Sequence, residues 1–387
     1  KMRTKNLMMA MAAFAMAGCS QNEVTDVNPD THPTVGFDVY TGVPTRGAET
    51  TTATLKDNTK GNFGILAFYT GASNWETAKT TTQPNFMYNE KVHYDASATS
   101  WAYDNIKYWP SNPNHMISFF AYAPYEAAPA VGTNKGIVLS GKTDKGIPFI
   151  DFTLKDATKL TEMVDLVVAD QHDQKYSENS GTVNFKFGHI LSKVLFKVKL
   201  KNALSGNTRI FVKKLEILGT TNNGTSKFYT KAEYKNQHWQ YDAANIPATD
   251  FDVANIMNVA AVSGVGDYTK TAIEATTSAK SLFKDGEFLF LIPVNDSETP
   301  GVETGTTANG EIKVRLTYDA ITPDVNDPTN KYLVSETEAL VDLPSGALKL
   351  GTAYTYTFNL ALNPVQVTVD DAITDWKDGT SGDTGDI

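Results

Sequence analysis

Residues 183–201 read VNFKFGHILSKVLFKVKLK, and their alternation leaves few folds open. Val183, Phe185 and Phe187 alternate with polar neighbours. After a short turn at residues 189–192 the period of two resumes with Val194, Phe196, Val198 and Leu200 opposite Lys193, Lys197, Lys199 and Lys201. Successive side chains on a strand face opposite ways, so this pattern predicts two strands with one buried and one wet face. Just upstream, residues 171–182 (QHDQKYSENSGT) are polar apart from Tyr176 and read as a crossing between two cores.

The same period recurs on both sides of that crossing. Before it come strand-like runs at 63–70, 86–95, 100–109, 116–124, 136–140, 148–154 and 164–169, separated by Asn-Pro, Ala-Pro and Gly-Lys breakers. After it come 209–218, 226–234, 287–293, 311–319, 332–343, 353–362 and 365–369, with Tyr354, Tyr356, Phe358, Leu360 and Leu362 in unbroken alternation. Short strands at this spacing predict β-sandwiches, and only residues 156–163 suggest a helical turn. A chain of 387 residues, 41% hydrophobic and 20% charged, is long enough for two such cores. The predicted division is a signal peptide at 1–18, a tether with a detachable strand at 19–54, sandwiches at 55–180 and 181–376, and a tail at 377–387.

The first residues set the compartment. Lys1, Arg3 and Lys5 precede the apolar run 7–17 and then Gly18-Cys19. The run is too short to span a bilayer and has the build of a secretory signal. Met16-Ala17-Gly18-Cys19 is similar to a lipobox, with Met16 where Leu is usual, so Cys19 is the expected lipid attachment site. That cysteine is the only one in the chain, so no disulfide framework is available. The expected location is the outer membrane and cell surface of a Gram-negative-type bacterium. A net charge of −10 argues against nucleic acid as a partner, since binding it requires a basic surface.

Between the tether and the first long strand, Val35, Phe37 and Val39 alternate with Gly36, Asp38 and Tyr40. The following loop carries Pro44, Arg46 and Gly47 and runs into the Thr-rich stretch 49–54. A lone strand followed by a loop of small residues around one Arg is an accessible protease site, with cleavage expected between Arg46 and Gly47.

Signs of catalysis are weak. Residues 136–143 (GIVLSGKT) match the phosphate-loop pattern letter for letter, but a phosphate loop needs a helix after its Thr, and here DKGIP follows strand-forming residues. They read as a strand and turn. The six histidines lack zinc spacing, with His189 read as a hydrogen-bonded corner, and no nucleophile elbow or carboxylate pair is present. No catalytic residue, metal site or cofactor is therefore expected. The lysines of 193–201 read as the wet face of a sheet, and the five tryptophans read as core more than as sugar platforms.

Several stretches, taken in order, resemble the fimbrillin-like pilins, lipoprotein subunits of type V pili from gut and oral bacteria. They are YWPSNPNHMISFFAYAP (108–124), DLVVA (165–169), FGHILSKVLFKVKL (187–200), FLFLIP (288–293), and GTAYTYTFNLAL with VTVDDAITDW (351–376). The resemblance implies an all-β fold of two tandem transthyretin-like β-sandwich domains. It also implies removal of the first strand by an Arg-specific protease, and a polymer with other pilin subunits made by strand donation and serving adhesion. A donor must alternate and be free to leave its own domain. The candidate is Val365, Val367, Val369, Ile373 and Trp376, which could extend ~40 Å along a neighbour. The competing reading makes this segment the last strand of its own domain. The alternative function is a monomeric surface lipoprotein that binds a glycan or host protein.

Overall fold

The computed structural model describes residues 33–41, 49–58, 61–130, 135–155, 160–205, 207–253, 273–284, 287–294, 312–328, 331–343, 348–361 and 366–373. Cys19, Arg46, Gly47, Val365 and Trp376 lie outside these described residues.

In chain order the first ten strands are β1 (Gly36–Tyr40), β2 (Phe63–Gly71), β3 (Met87–Asp95), β4 (Ser100–Ala102), β5 (Met116–Ala123), β6 (Ile137–Leu139), β7 (Phe149–Thr153), β8 (Val167–Gln174), β9 (Thr182–Lys186) and β10 (Gly188–His189). They are followed by β11 (Ser192–Leu200), β12 (Arg209–Ile217), β13 (Lys231–Lys235), β14 (His238–Gln240), β15 (Phe251–Asp252), β16 (Ile273–Ala275), β17 (Lys280–Ser281), β18 (Leu289–Leu291), β19 (Lys313–Pro323), β20 (Tyr332–Asp342), β21 (Ala353–Leu360) and β22 (Gln366–Ile373). Among the described residues three short α-helices, α1 (Thr52–Lys56), α2 (Trp75–Ala78) and α3 (Tyr176–Asn179), and 3-10 turns at Leu160–Glu162 and Ala243–Asn245 complete an all-β fold.

The central element is a six-stranded sheet in the order β10-β8-β5-β2-β3-β4. Its inner strands β2 and β5 are apolar on both faces, because both are covered. Phe63, Ile65, Ile117, Phe119 and Val167 turn to one side, where β1 and β9 form a two-stranded parallel sheet above them. Leu66, Phe68 and Tyr122 turn to the other, toward the four-stranded sheet β14-β13-β7-β6, which contributes Ile150, Phe152 and Trp239. Beyond it, a sheet β17-β11-β21-β22 with β18 on β11 faces a sheet β15-β12-β19-β20 with β16 on β12. Phe196, Val198, Tyr356 and Phe358 of the first share one core with Leu215, Val314 and Leu316 of the second.

The pairing does not break at residue 180. β7 pairs antiparallel with β13, from Phe149↔Lys235 to Thr153↔Lys231, so one sheet joins residues from both sides of the expected boundary. β9 lies past that boundary, yet its Val183 and Phe185 belong to the core over the six-stranded sheet. The polar stretch 171–182 is not a plain crossing either: β8 runs on to Gln174, because pairing with β5 satisfies its backbone whatever the side chains. The run expected at 100–109 shortens to β4, and that at 226–234 to β13. The phosphate-loop letters form β6 and a turn in which the Gly141 N–H donates to the Asp144 carboxylate at 2.7 Å, and no helix follows before β7.

Candidate strand-exchange site

The detachable strand predicted at Val35, Phe37 and Val39 corresponds to β1 with Val35 just ahead of it, and all three side chains are buried. It lies parallel to β9 in the register Gly36↔Thr182 to Tyr40↔Lys186. Period two sends Val35, Phe37 and Val39 down into the core and leaves Asp38 and Tyr40 outside. The Phe37 ring sits 5.3 Å from Tyr103, 5.9 Å from Phe185 and 6.0 Å from Phe119. At about 1.5–3 kcal/mol per buried side chain, the three contribute roughly 5–9 kcal/mol, comparable with the whole stability of a typical domain.

Backbone bonds fix both ends of β1. Gly36 N–H donates to Gly181 O at 2.8 Å, and Phe187 N–H donates to Tyr40 O at 2.9 Å. Gly181 has φ of 88°, a conformation that favours glycine, and its carbonyl also accepts from the Trp109 indole at 3.1 Å. Tyr103 hydroxyl donates to Val35 O at 2.8 Å. Burial pushes that phenol up to about 12, against the lowering effect of its contact with Lys107, so it remains a donor at neutral pH. Along the strand's other edge the Val39 N–H donates to its own Asp38 carboxylate at 2.8 Å, which blunts that edge against further pairing.

Downstream of the expected cleavage site the chain is clamped by contacts that sequence reading did not anticipate. The stretch 49–54 reads as unpinned, yet Glu49, Thr50 and Thr51 are all buried. Glu49 forms an ion pair with Lys193, and both side chains are nearly inaccessible. Lys193 is therefore the exception to the wet face expected of its neighbours, and its ammonium lies 3.7 Å from the centroid of the Phe288 ring. Thr50 N–H donates to Asp165 Oδ2 at 2.8 Å and its hydroxyl donates to Asp165 O at 2.6 Å. His189 Nδ1 meets Asp165 Oδ1 at 3.0 Å, which makes it the corner expected of it. Thr51 then caps α1 by accepting from Thr54 N–H at 3.1 Å, and Leu55 seals the helix into the core. The one legible sign of this was Thr51-x-x-Thr54 ahead of Leu55, a helix start.

Because a buried carboxylate left without its partner costs far more than the pair itself contributes, Lys193→Met is expected to lower stability by about 3–5 kcal/mol. Urea unfolding of the full chain measures it, and adding Glu49→Leu should restore most of the loss.

Of the candidate donor segment, Val367, Val369 and Ile373 fall in β22, which pairs antiparallel with β21 from Ala353↔Ile373 to Asn359↔Gln366. Among the described residues β22 is the outer strand of its sheet and has β21 as its one ladder partner. Trp75, Trp101, Trp109 and Trp239 are buried, so these four present no sugar platform at the surface.

The fold and this site define an all-β structural protein in which a short N-terminal strand completes the core. The family model described as Fimbrillin-like matches residues 45–376. A fimbrium subunit, Fim1C of Phocaeicola vulgatus, is 41% identical over 393 residues, covering 99% of both chains. The crystal structure of a fimbrial protein from Bacteroides vulgatus superposes with a TM-score of 0.73 at 36% identity, covering 88% of this chain and 99% of that one. The chain belongs to the fimbrillin-like family, and it is a fimbrial subunit and not an enzyme.

Proposed function

We propose that this chain is a structural subunit of a type V pilus at the cell surface, exported as a lipoprotein through Cys19, cut between Arg46 and Gly47 by an Arg-specific protease, and polymerised with other pilin subunits by strand donation. The observation that carries the reading is β1: a five-residue edge strand whose Phe37 and Val39, with Val35 just ahead of it, complete the core while its backbone holds to β9 alone along most of its length. Excising it leaves a β9 edge with unpaired N–H and C=O groups above an apolar groove, and an incoming alternating strand satisfies both. The buried clamp at Glu49 and Thr50 supports the same reading, since it anchors the chain on the far side of the cut. The family match begins at residue 45, beside Arg46.

The folding units of this reading are two tandem transthyretin-like sandwiches, joined by the sheet that β7 and β13 share. The donor strand is the segment from Val365 through Val367, Val369 and Ile373 to Trp376. Incubating purified full chain with a trypsin-like protease is the direct test: the expected result is one early cut and then a ladder of polymers. A cut chain that stays monomeric would defeat the proposal.

A further inference from the structure

The six-stranded sheet carries a second feature on the face opposite β1. Phe119 points into the core beneath β1, and its neighbour Phe120 points the other way, into a cleft of about 100 Å³ between this sheet and the β7–β13 pair. Trp75, Phe120 and His172 form its aromatic wall: Trp75 and Phe120 centroids are 5.0 Å apart, and His172 lies 5.6 Å and 5.2 Å from them. Leu66, Ile150, Tyr234 and Val168 are among the other apolar residues that line it.

One edge of the cleft is polar. Asp170 Oδ2 lies 3.2 Å from His172 Nε2, within ion-pair range though off the line of a straight hydrogen bond, and accepts from Gln237 Nε2 at 3.1 Å. Gln237 is brought there by the tight β13–β14 turn, in which Asn236 and Gln237 have φ of 51° and 64°. The cleft is thus lined from α2, the six-stranded sheet and the β7–β13 pair, and two side chains, His172 of β8 and Gln237 of the turn, meet the Asp170 carboxylate.

We propose that this cleft binds a single aromatic ring bearing a hydrogen-bond donor, the ring against Trp75 and Phe120 and the donor on the Asp170 carboxylate. Size sets the first limit: a closed cavity of about 150 Å³ takes one benzene, so this cleft of about 100 Å³ admits no more than one ring, part of which stays at its open mouth. Lining chemistry sets the second: a sugar ring would bring hydroxyls to walls that cannot pair them, whereas an apolar ring with one polar handle matches a cleft that is polar along one edge. A carboxylate has about four acceptor positions, so Asp170 accepts a further donor without losing Gln237. The site lies across the sheet from β1 and is independent of strand exchange.

The test is titration of the full chain, followed by NMR, with p-cresol, toluene, methyl β-glucoside and N-acetyltyrosine amide. Saturable binding of p-cresol at one site is expected, with toluene weaker by about tenfold for want of the donor. Asp170→Ala, which removes the acceptor, should bring p-cresol close to toluene, and Val168→Phe, which fills the cleft, should abolish both while circular dichroism stays unchanged. N-acetyltyrosine amide binding as tightly as p-cresol assigns the ring to a protein side chain, and binding of p-cresol alone assigns it to a free small molecule. The proposal is overturned if p-cresol does not saturate below about 10 mM. It is overturned equally if the glucoside binds as well as p-cresol, or if neither variant changes binding.

Discussion

Arg46→Ala is expected to yield a subunit that folds, reaches the cell surface and stays out of fibres. With the loop uncut, β1 remains covalently attached and keeps Val35, Phe37 and Val39 in the groove. An incoming strand then has to displace side chains that contribute roughly 5–9 kcal/mol, and the tethered strand returns to the groove at high effective concentration. At 1.4 kcal/mol per factor of ten, fibre yield is expected to fall at least about a hundredfold. The melting temperature should not move, because Arg46 lies between β1 and the clamp and in neither. Electron microscopy of fibres and a thermal melt of the same preparation read the two effects separately.

Deletion of residues 365–387 has the second large effect, and the structure sharpens what it tests. β22 closes the outer edge of β21, and the β21 side chains Tyr356 and Phe358 sit in the shared core. Tyr356 is fully buried, and burial raises its phenol far above the ordinary range, with a smaller contribution from Tyr354. If the segment serves as donor, the truncated chain still melts cooperatively, because β11 holds β21 from the other side through a parallel ladder from Lys193↔Ala353 to Leu200↔Leu360. After cleavage at Arg46 it then remains monomeric. If the segment is only the last strand of its own sheet, the truncated chain unfolds or aggregates instead. Fibres of ordinary length from the truncated chain would rule the donor role out.

How much of this was legible in the sequence follows from what alternation encodes. A period of two names the buried face of a strand, so Val35, Phe37, Val39, Phe196 and Tyr356 could be assigned to cores before any partner was known. It does not name the partner. The parallel pairing of β1 with β9, and the antiparallel pairing of β7 with β13 across the expected boundary, join segments far apart in sequence, and no local pattern marks either. Polar anchors were the least visible. Lys193 occupies the same sequence pattern as the wet Lys197 and Lys199, and it is buried only because Glu49 comes to meet it. The Thr-rich stretch at 49–54 has no large apolar residue, and hydrogen bonds to Asp165 and a helix cap hold it instead. Trp75 was placed in the core on composition, yet the cleft beside it depends on the β13–β14 turn delivering Gln237, which only the fold displays.

The central claim is that β1 leaves the subunit before assembly, and mass spectrometry of fibres sheared from the cell surface tests it most directly. The account predicts subunits that begin Gly47-Ala48-Glu49, with no peptide covering residues 35–40 and the acylated Cys19 fragment absent from the polymer. Fibres whose subunits retain Val35, Phe37 and Val39 on an uncut chain would contradict it.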